Sequence, residues 1–147
     1  MKKIVALLAV VLLLSCNKDD DDGSVPITYQ NLMGKWNIKS VVKADGTVVP
    51  YVGRCASQKD YIDMYASGDV AEKYFMEDCA TLYTAFIEFT FDQNYEINTA
   101  STSFLYDGAI IKNMTNTSFT IEFPEPRTAN FEYFYVTNSK AILFERR

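Results

Sequence analysis

The chain of 147 residues contains no histidine. That absence removes Ser-His and Cys-His nucleophile systems, histidine general bases and the commonest zinc ligand. Basic residues are also in the minority, 14 against 19 acidic ones, and setting aside Lys2 and Lys3 widens the acidic excess from five to seven. A balance of that sign argues against nucleic acid as a partner. Residues 4–14 form the longest apolar run, eleven residues, where a membrane-spanning helix needs about 20. Tryptophan occurs once and cysteine three times. Hydrophobic residues are plentiful at 48%, with ten Phe and ten Tyr, so a sizeable core is available, and the length sets one folded domain as the ceiling.

The N-terminus carries an address. Met1-Lys2-Lys3 is a short positive region, and the apolar run after it is the length of an export signal. Leu13-Leu14-Ser15-Cys16 resembles the lipobox of bacterial lipoproteins, with Leu14 bulkier than that family usually places there. The resemblance implies cleavage after Ser15, acylation of Cys16 and stable anchoring, since each buried CH₂ contributes about 0.8 kcal/mol. The alternative is an ordinary secretory signal with a chance cysteine. Residues 17–24 hold Asp19 to Asp22 in a row, a run that repels itself and buries nothing. It resembles the acidic signals that send some lipoproteins to the outer face of the outer membrane; otherwise it is a solvated spacer, with the periplasmic face as the alternative location. As a calcium loop it fails, because Lys18 and Tyr29 fall at ligand positions. The expected organisation is a signal peptide over 1–15, a lipidated tether over 16–24 and a domain over 25–147.

With Cys16 acylated, Cys55 and Cys79 are an even pair in an exported chain and read as a disulfide. Closing a loop of 25 residues stabilises by about 3.5 kcal/mol. Two reduced cysteines are the alternative, and a metal site would lack half its ligands. Between the cysteines, Ser57 with Asp60 and Asp69 with Glu72 look like helix caps, and Ala71, Tyr74, Phe75, Cys79, Leu82 and Phe86 recur every three to four residues. Two short helices over 57–85 are the expectation. The competing reading is a hairpin, 61–65 with 70–76, about Ser67-Gly68-Asp69.

Elsewhere the period is two. Trp36, Ile38, Ser40 and Val42 alternate with more polar neighbours, as do Ile87, Phe89 and Phe91, and Phe119, Ile121 and Phe123. Asp45-Gly46, Asp92-Gln93-Asn94, Asp107-Gly108 and Asn138-Ser139 read as turns. Pro124 and Pro126 bar their stretch from a central strand. About eight short strands in sequential hairpins favour an all-β antiparallel meander closed into a barrel, with a short helical insertion; a β-sandwich is the alternative.

Asn31-Leu32-Met33-Gly34-Lys35-Trp36 resembles the start of lipocalin-like proteins, where Gly-x-Trp heads the first strand. The resemblance implies that an arginine on the last strand packs over the tryptophan at the closed end. Arg146 follows Ile142 and Phe144 at period two and is the matching position if Phe144 points inward, with Arg147 as a second basic residue beside it. Together with the lipobox and the acidic tether, the chain resembles a lipocalin-like domain of a bacterial surface lipoprotein.

Glu88, Glu122, Glu132 and Glu145 are the carboxylates on strands, but they alternate with apolar residues and so face solvent. No Ser-x-x-Lys opens a helix. The expectation is a protein that is not an enzyme and needs no cofactor or metal. Phe131, Tyr133, Phe134 and Tyr135 make both faces of one strand aromatic, which points to a cover or a contact surface. Two functions follow: a membrane-anchored binder of a small hydrophobic or amphipathic ligand, as the resemblance implies, or a surface interaction module (accessory subunit, adhesin or inhibitor) with a filled barrel. The ligand-binding residues are not legible.

Overall fold

Period-two patterning becomes a nearly closed barrel. The computed structural model describes residues 23–100, 105–130 and 134–147. The expected signal peptide, Cys16 and most of the tether lie outside the described residues, as do Phe131, Glu132 and Tyr133. One helical turn, α1 (Tyr29–Leu32), precedes β1 (Gly34–Lys43), β2 (Val48–Pro50), β3 (Tyr61–Met64) and β4 (Asp69–Phe75). Then come β5 (Leu82–Phe91), β6 (Ile97–Thr99), β7 (Ile110–Lys112), β8 (Ser118–Asn130) and β9 (Tyr135–Arg146). The sheet runs β6-β5-β4-β3-β1-β9-β8-β7, every pair antiparallel, with β2 as a side branch on β1. Its two ends meet: Ile97 N–H donates to Ala109 O at 2.7 Å, Gly108 N–H to Ile97 O at 2.7 Å and Ile111 N–H to Tyr95 O at 3.0 Å. Closure in this way leaves no long unpaired edge.

Inward-facing residues fill the centre. Trp36 and Ile38 from β1, Phe119 and Ile121 from β8, and Ile142 and Phe144 from β9 are all 2% exposed or less. Each such side chain contributes roughly 1.5–3 kcal/mol by leaving water. One end of the barrel is sealed by α1, which Thr28 caps by accepting from Asn31 N–H at 3.2 Å and which drives Leu32 into the core. The turns at 65–68, 92–96 and 113–117 share that end. The other end carries residues 44–60, the β4–β5 turn and Phe134 just before β9. Cys55 and Cys79 are disulfide-bonded, with Cα atoms 5.1 Å apart, and tie two of these mouth segments together.

Three expectations need correction. Residues 57–85 hold no helix among the described residues; β3 and β4 form the competing hairpin about Gly68, which has φ +91°. The three-to-four spacing there is coincidental, because β4 turns Val70, Glu72 and Tyr74 inward at period two. Asn138-Ser139 is not a turn but a bulge inside β9. Asn138 takes φ +44°, and the register slips beside it, as at a β-bulge, which bends the strand and increases its local twist. Finally, β8 continues through Pro124 and Pro126. The prolines sit where pairing with β9 is interrupted between Glu122 and Arg127, so no ladder hydrogen bond is lost.

Candidate functional site

The closed end is built around the single tryptophan. Trp36 is fully buried. Its indole N–H donates to Leu32 O at 2.7 Å, and its ring meets Phe119 edge-on at 4.9 Å, with Phe119 stacked on Phe144 at 4.8 Å. The Arg146 guanidinium lies 3.8 Å over the indole and donates to Met33 O at 2.6 Å, Asn31 O at 3.1 Å and Asn116 O at 3.4 Å. It therefore binds β9, α1 and the β7–β8 turn into one floor. Gly34 is required beside it, since φ there is +109° and a Cβ would stand 3.1 Å from Arg146 Nη1. Arg147 instead covers Tyr61 at 4.1 Å. The structure thus brings Gly34, Trp36 and Arg146 together, in an arrangement whose chemistry is structural.

The open end has a different character. Beneath the mouth, β4 carries Glu72 inward between Val70 and Tyr74, and the residue is only 7% exposed. Burial pushes its carboxyl up to about 7, although the nearby hydroxyls of Tyr74 and Tyr106 favour the charged form. Tyr106 is 1% exposed, and its hydroxyl, although close enough to act on Glu72, makes no hydrogen bond of ordinary length and angle. Burial also holds the Tyr74 and Tyr106 hydroxyls well above the usual phenol range.

A second carboxylate, Asp60, is buried a short way along the rim. Tyr51 O–H donates to it at 2.7 Å, and Phe75 N–H donates to its other oxygen at 2.7 Å. Burial raises the Asp60 carboxyl, and these two donors oppose the shift. Burial first, and then the charge of Asp60, raises the Tyr51 hydroxyl in turn. Gly53 makes this packing possible, because a Cβ there would lie 2.5 Å from Asp60 Oδ2.

Aromatic rings complete the mouth. Phe134 packs between Tyr51, at 5.7 Å, and Tyr74, at 5.2 Å. A half-open pocket of about 200 Å³ lies against Tyr51, Gly53, Arg54, Asn130, Phe134 and Tyr135. It shares Tyr51 and Phe134 with the cluster around Glu72. Arg54 at its rim is paired with Glu77 at 3.8 Å.

The carboxylates singled out on strands do not assemble. Glu122 pairs with Lys112 at 3.0 Å, Glu145 lies between Lys59 at 2.6 Å and Lys39 at 3.6 Å, and Glu88 is exposed opposite Asp69. The interior acids are the two that were read as helix caps, Asp60 and Glu72. The clue was available: at period two, Val70, Glu72 and Tyr74 share one face, and a charged residue between two apolar ones on an inward face is unusual. Among the described residues no group of His, Cys, Asp and Glu is placed to hold a metal, and no helix is long and apolar enough to cross a membrane.

No protein-family model, curated protein or solved structure matches the chain.

Proposed function

We propose that this chain is a membrane-anchored, lipocalin-like lipoprotein that binds a small amphipathic molecule at the open end of its barrel and catalyses no reaction. The observation that carries the reading is the polar cluster of Glu72, Tyr74 and Tyr106 below an aromatic mouth, inside a barrel whose interior is otherwise mainly apolar, with Asp60, Ser40 and Ser139 as the other buried polar residues. Buried polar groups cost stability unless they are paired, and a site with a few convergent polar groups among aromatic walls is the common form of a small-ligand site. The floor of Trp36 and Arg146 supports the lipocalin-like reading, and it leaves the opposite end as the entrance. The lipobox residues 13–16 and the acidic run 19–22 support an anchor at Cys16 and a position on the outer membrane facing outward.

The ligand test is native mass spectrometry of the full-length chain released from detergent after incubation with a cellular metabolite extract. A one-to-one adduct, lost in Tyr51→Ala, is expected; a folded protein that carries no adduct would contradict the reading. Growth with labelled palmitate tests the anchor, with label expected on the wild type and none on Cys16→Ala. A second reading, a surface interaction module, draws on Phe86 and Tyr135, which are 70% and 61% exposed. It predicts no adduct.

A further inference from the structure

The carboxylate beneath the mouth lacks a counter-ion. Among the described residues no lysine or arginine pairs with Glu72: Lys73 faces away and donates to Thr84 at 2.9 Å, Arg54 is paired with Glu77, and Lys39 and Lys59 are paired with Glu145. The titratable groups gathered around Glu72 are Tyr74 on its own strand, Tyr106 from the turn before β7 and Tyr51 from the mouth segment, with Asp60 beyond Tyr51. The strand partners of Glu72 are Ile62 and Ala85, both apolar. A second observation is independent of the charge. The Tyr106 hydroxyl, fully enclosed beside that carboxylate and close enough to favour its charged form, makes no hydrogen bond of ordinary length and angle.

One kind of group satisfies both. A charged nitrogen with N–H donors neutralises Glu72, donates to its oxygens and to the Tyr106 oxygen, and gains from the faces of surrounding rings. An anion meets repulsion here, and a neutral hydroxyl leaves the carboxylate charge uncompensated. Two adjoining pockets of about 200 and 260 Å³ open at the mouth, both against Tyr51 and Gly53 and neither reaching Glu72 or Tyr106. Each is smaller than the ~300 Å³ at which pockets for drug-sized ligands begin, so the occupant is small and its nitrogen must pass the Tyr51 and Phe134 rings to meet the carboxylate. Resting on the reading of the barrel as a small-molecule binder, we infer that its ligand is a small organic ammonium compound. Its nitrogen is held by Glu72 and Tyr106, and its apolar part lies against Tyr51, Tyr74 and Phe134.

The test is calorimetric titration of the full-length chain in detergent at pH 8 with 2-phenylethylammonium, 2-phenylethanol and 3-phenylpropionate, which share a ring and differ in the charge of the end group. The ammonium compound should bind one-to-one, the alcohol at least tenfold more weakly, and the carboxylate should give no binding heat. Glu72→Gln should weaken the ammonium at least tenfold while circular dichroism remains that of the wild type, and Tyr106→Phe should weaken it severalfold. With the Glu72 carboxyl titrating at about 7, affinity should be roughly a hundredfold lower at pH 5 than at pH 8, and Glu72→Gln should abolish that dependence although Asp60 is retained. Equal binding of ammonium and alcohol, or unchanged binding by folded Glu72→Gln, would overturn the inference and leave the barrel a binder of another class. No ammonium binding at pH 8 would overturn it too, and the adduct experiment on the metabolite extract would then decide the broader reading by itself.

Discussion

Replacing Glu72 with glutamine should make the protein more stable, by an amount that grows as pH rises from about 4.5 to about 7 and then levels off. The side chain is almost fully buried, and burial lifts its carboxyl from 4.5 to about 7. The folded state therefore binds a proton more tightly than the unfolded chain does. Its contribution is fully present below pH 4.5 and is lost as pH rises through about 7. At roughly 1.4 kcal/mol per pH unit of difference, the gap is worth about 3 kcal/mol. Glutamine keeps the volume and the polarity but never ionises. The variant should accordingly match the wild type to within about 1 kcal/mol at pH 4.5 and exceed it by about 3 kcal/mol at pH 8. Asp60, also raised by burial, is present in both proteins and drops out of the difference. Urea unfolding at pH 4.5, 6, 7 and 8, followed by Trp36 fluorescence, gives the two stability curves. Parallel curves would refute the argument, because they would mean that Glu72 meets water or a cation in the folded protein.

The other predictions concern the two ends of the barrel. Trp36→Ala removes the largest buried side chain of the floor and should cost about 3–5 kcal/mol in denaturant unfolding. Arg146→Ala, which loses a ring contact and three carbonyl partners at an exposed position, should cost about 1–3 kcal/mol, and Arg146→Lys should recover little, because one ammonium cannot span the carbonyls of Asn31, Met33 and Asn116. Cys79→Ser should destabilise by about 2–5 kcal/mol, and non-reducing peptide mapping of the wild type should find Cys55 linked to Cys79. Gly53→Ala should cost about 1–3 kcal/mol, and the loss is traced to Asp60 by a double-mutant cycle in which Gly53→Ala costs much less in an Asp60→Ala background than in the wild type.

Most of the barrel was legible because its strands obey a single rule. Where one face is buried and apolar, as in Trp36 and Ile38 or Phe119, Ile121 and Phe123, the period of two survives. It failed where the interior is polar. Glu72 interrupts the apolar face of β4, so the pattern Val70, Glu72, Tyr74 gave way to a coincidental helical spacing that runs on to Phe86. The site was hidden for the same reason as the strand that carries it. Asn138 misled differently, since asparagine with positive φ serves a bulge as readily as a hairpin turn. The floor was readable from Gly34, Trp36 and the period linking Ile142, Phe144 and Arg146, because a glycine forced by positive φ and a lone tryptophan are local signals. Tyr51 and Tyr106 gave no such signal, being ordinary tyrosines among ten, joined to Glu72 only by closure of the sheet.

The most direct measurement is the titration of Glu72 itself, by NMR of carboxyl-labelled glutamate with Glu72→Gln supplying the assignment, in the free protein and with saturating 2-phenylethylammonium. An interior carboxylate awaiting a cationic ligand should titrate at about 7 when free and fall toward or below the ordinary 4.5 when the ligand is bound. A free value already near 4.5, or a raised value that the ammonium compound leaves unmoved, would contradict the assignment of Glu72 as the ligand's anchor.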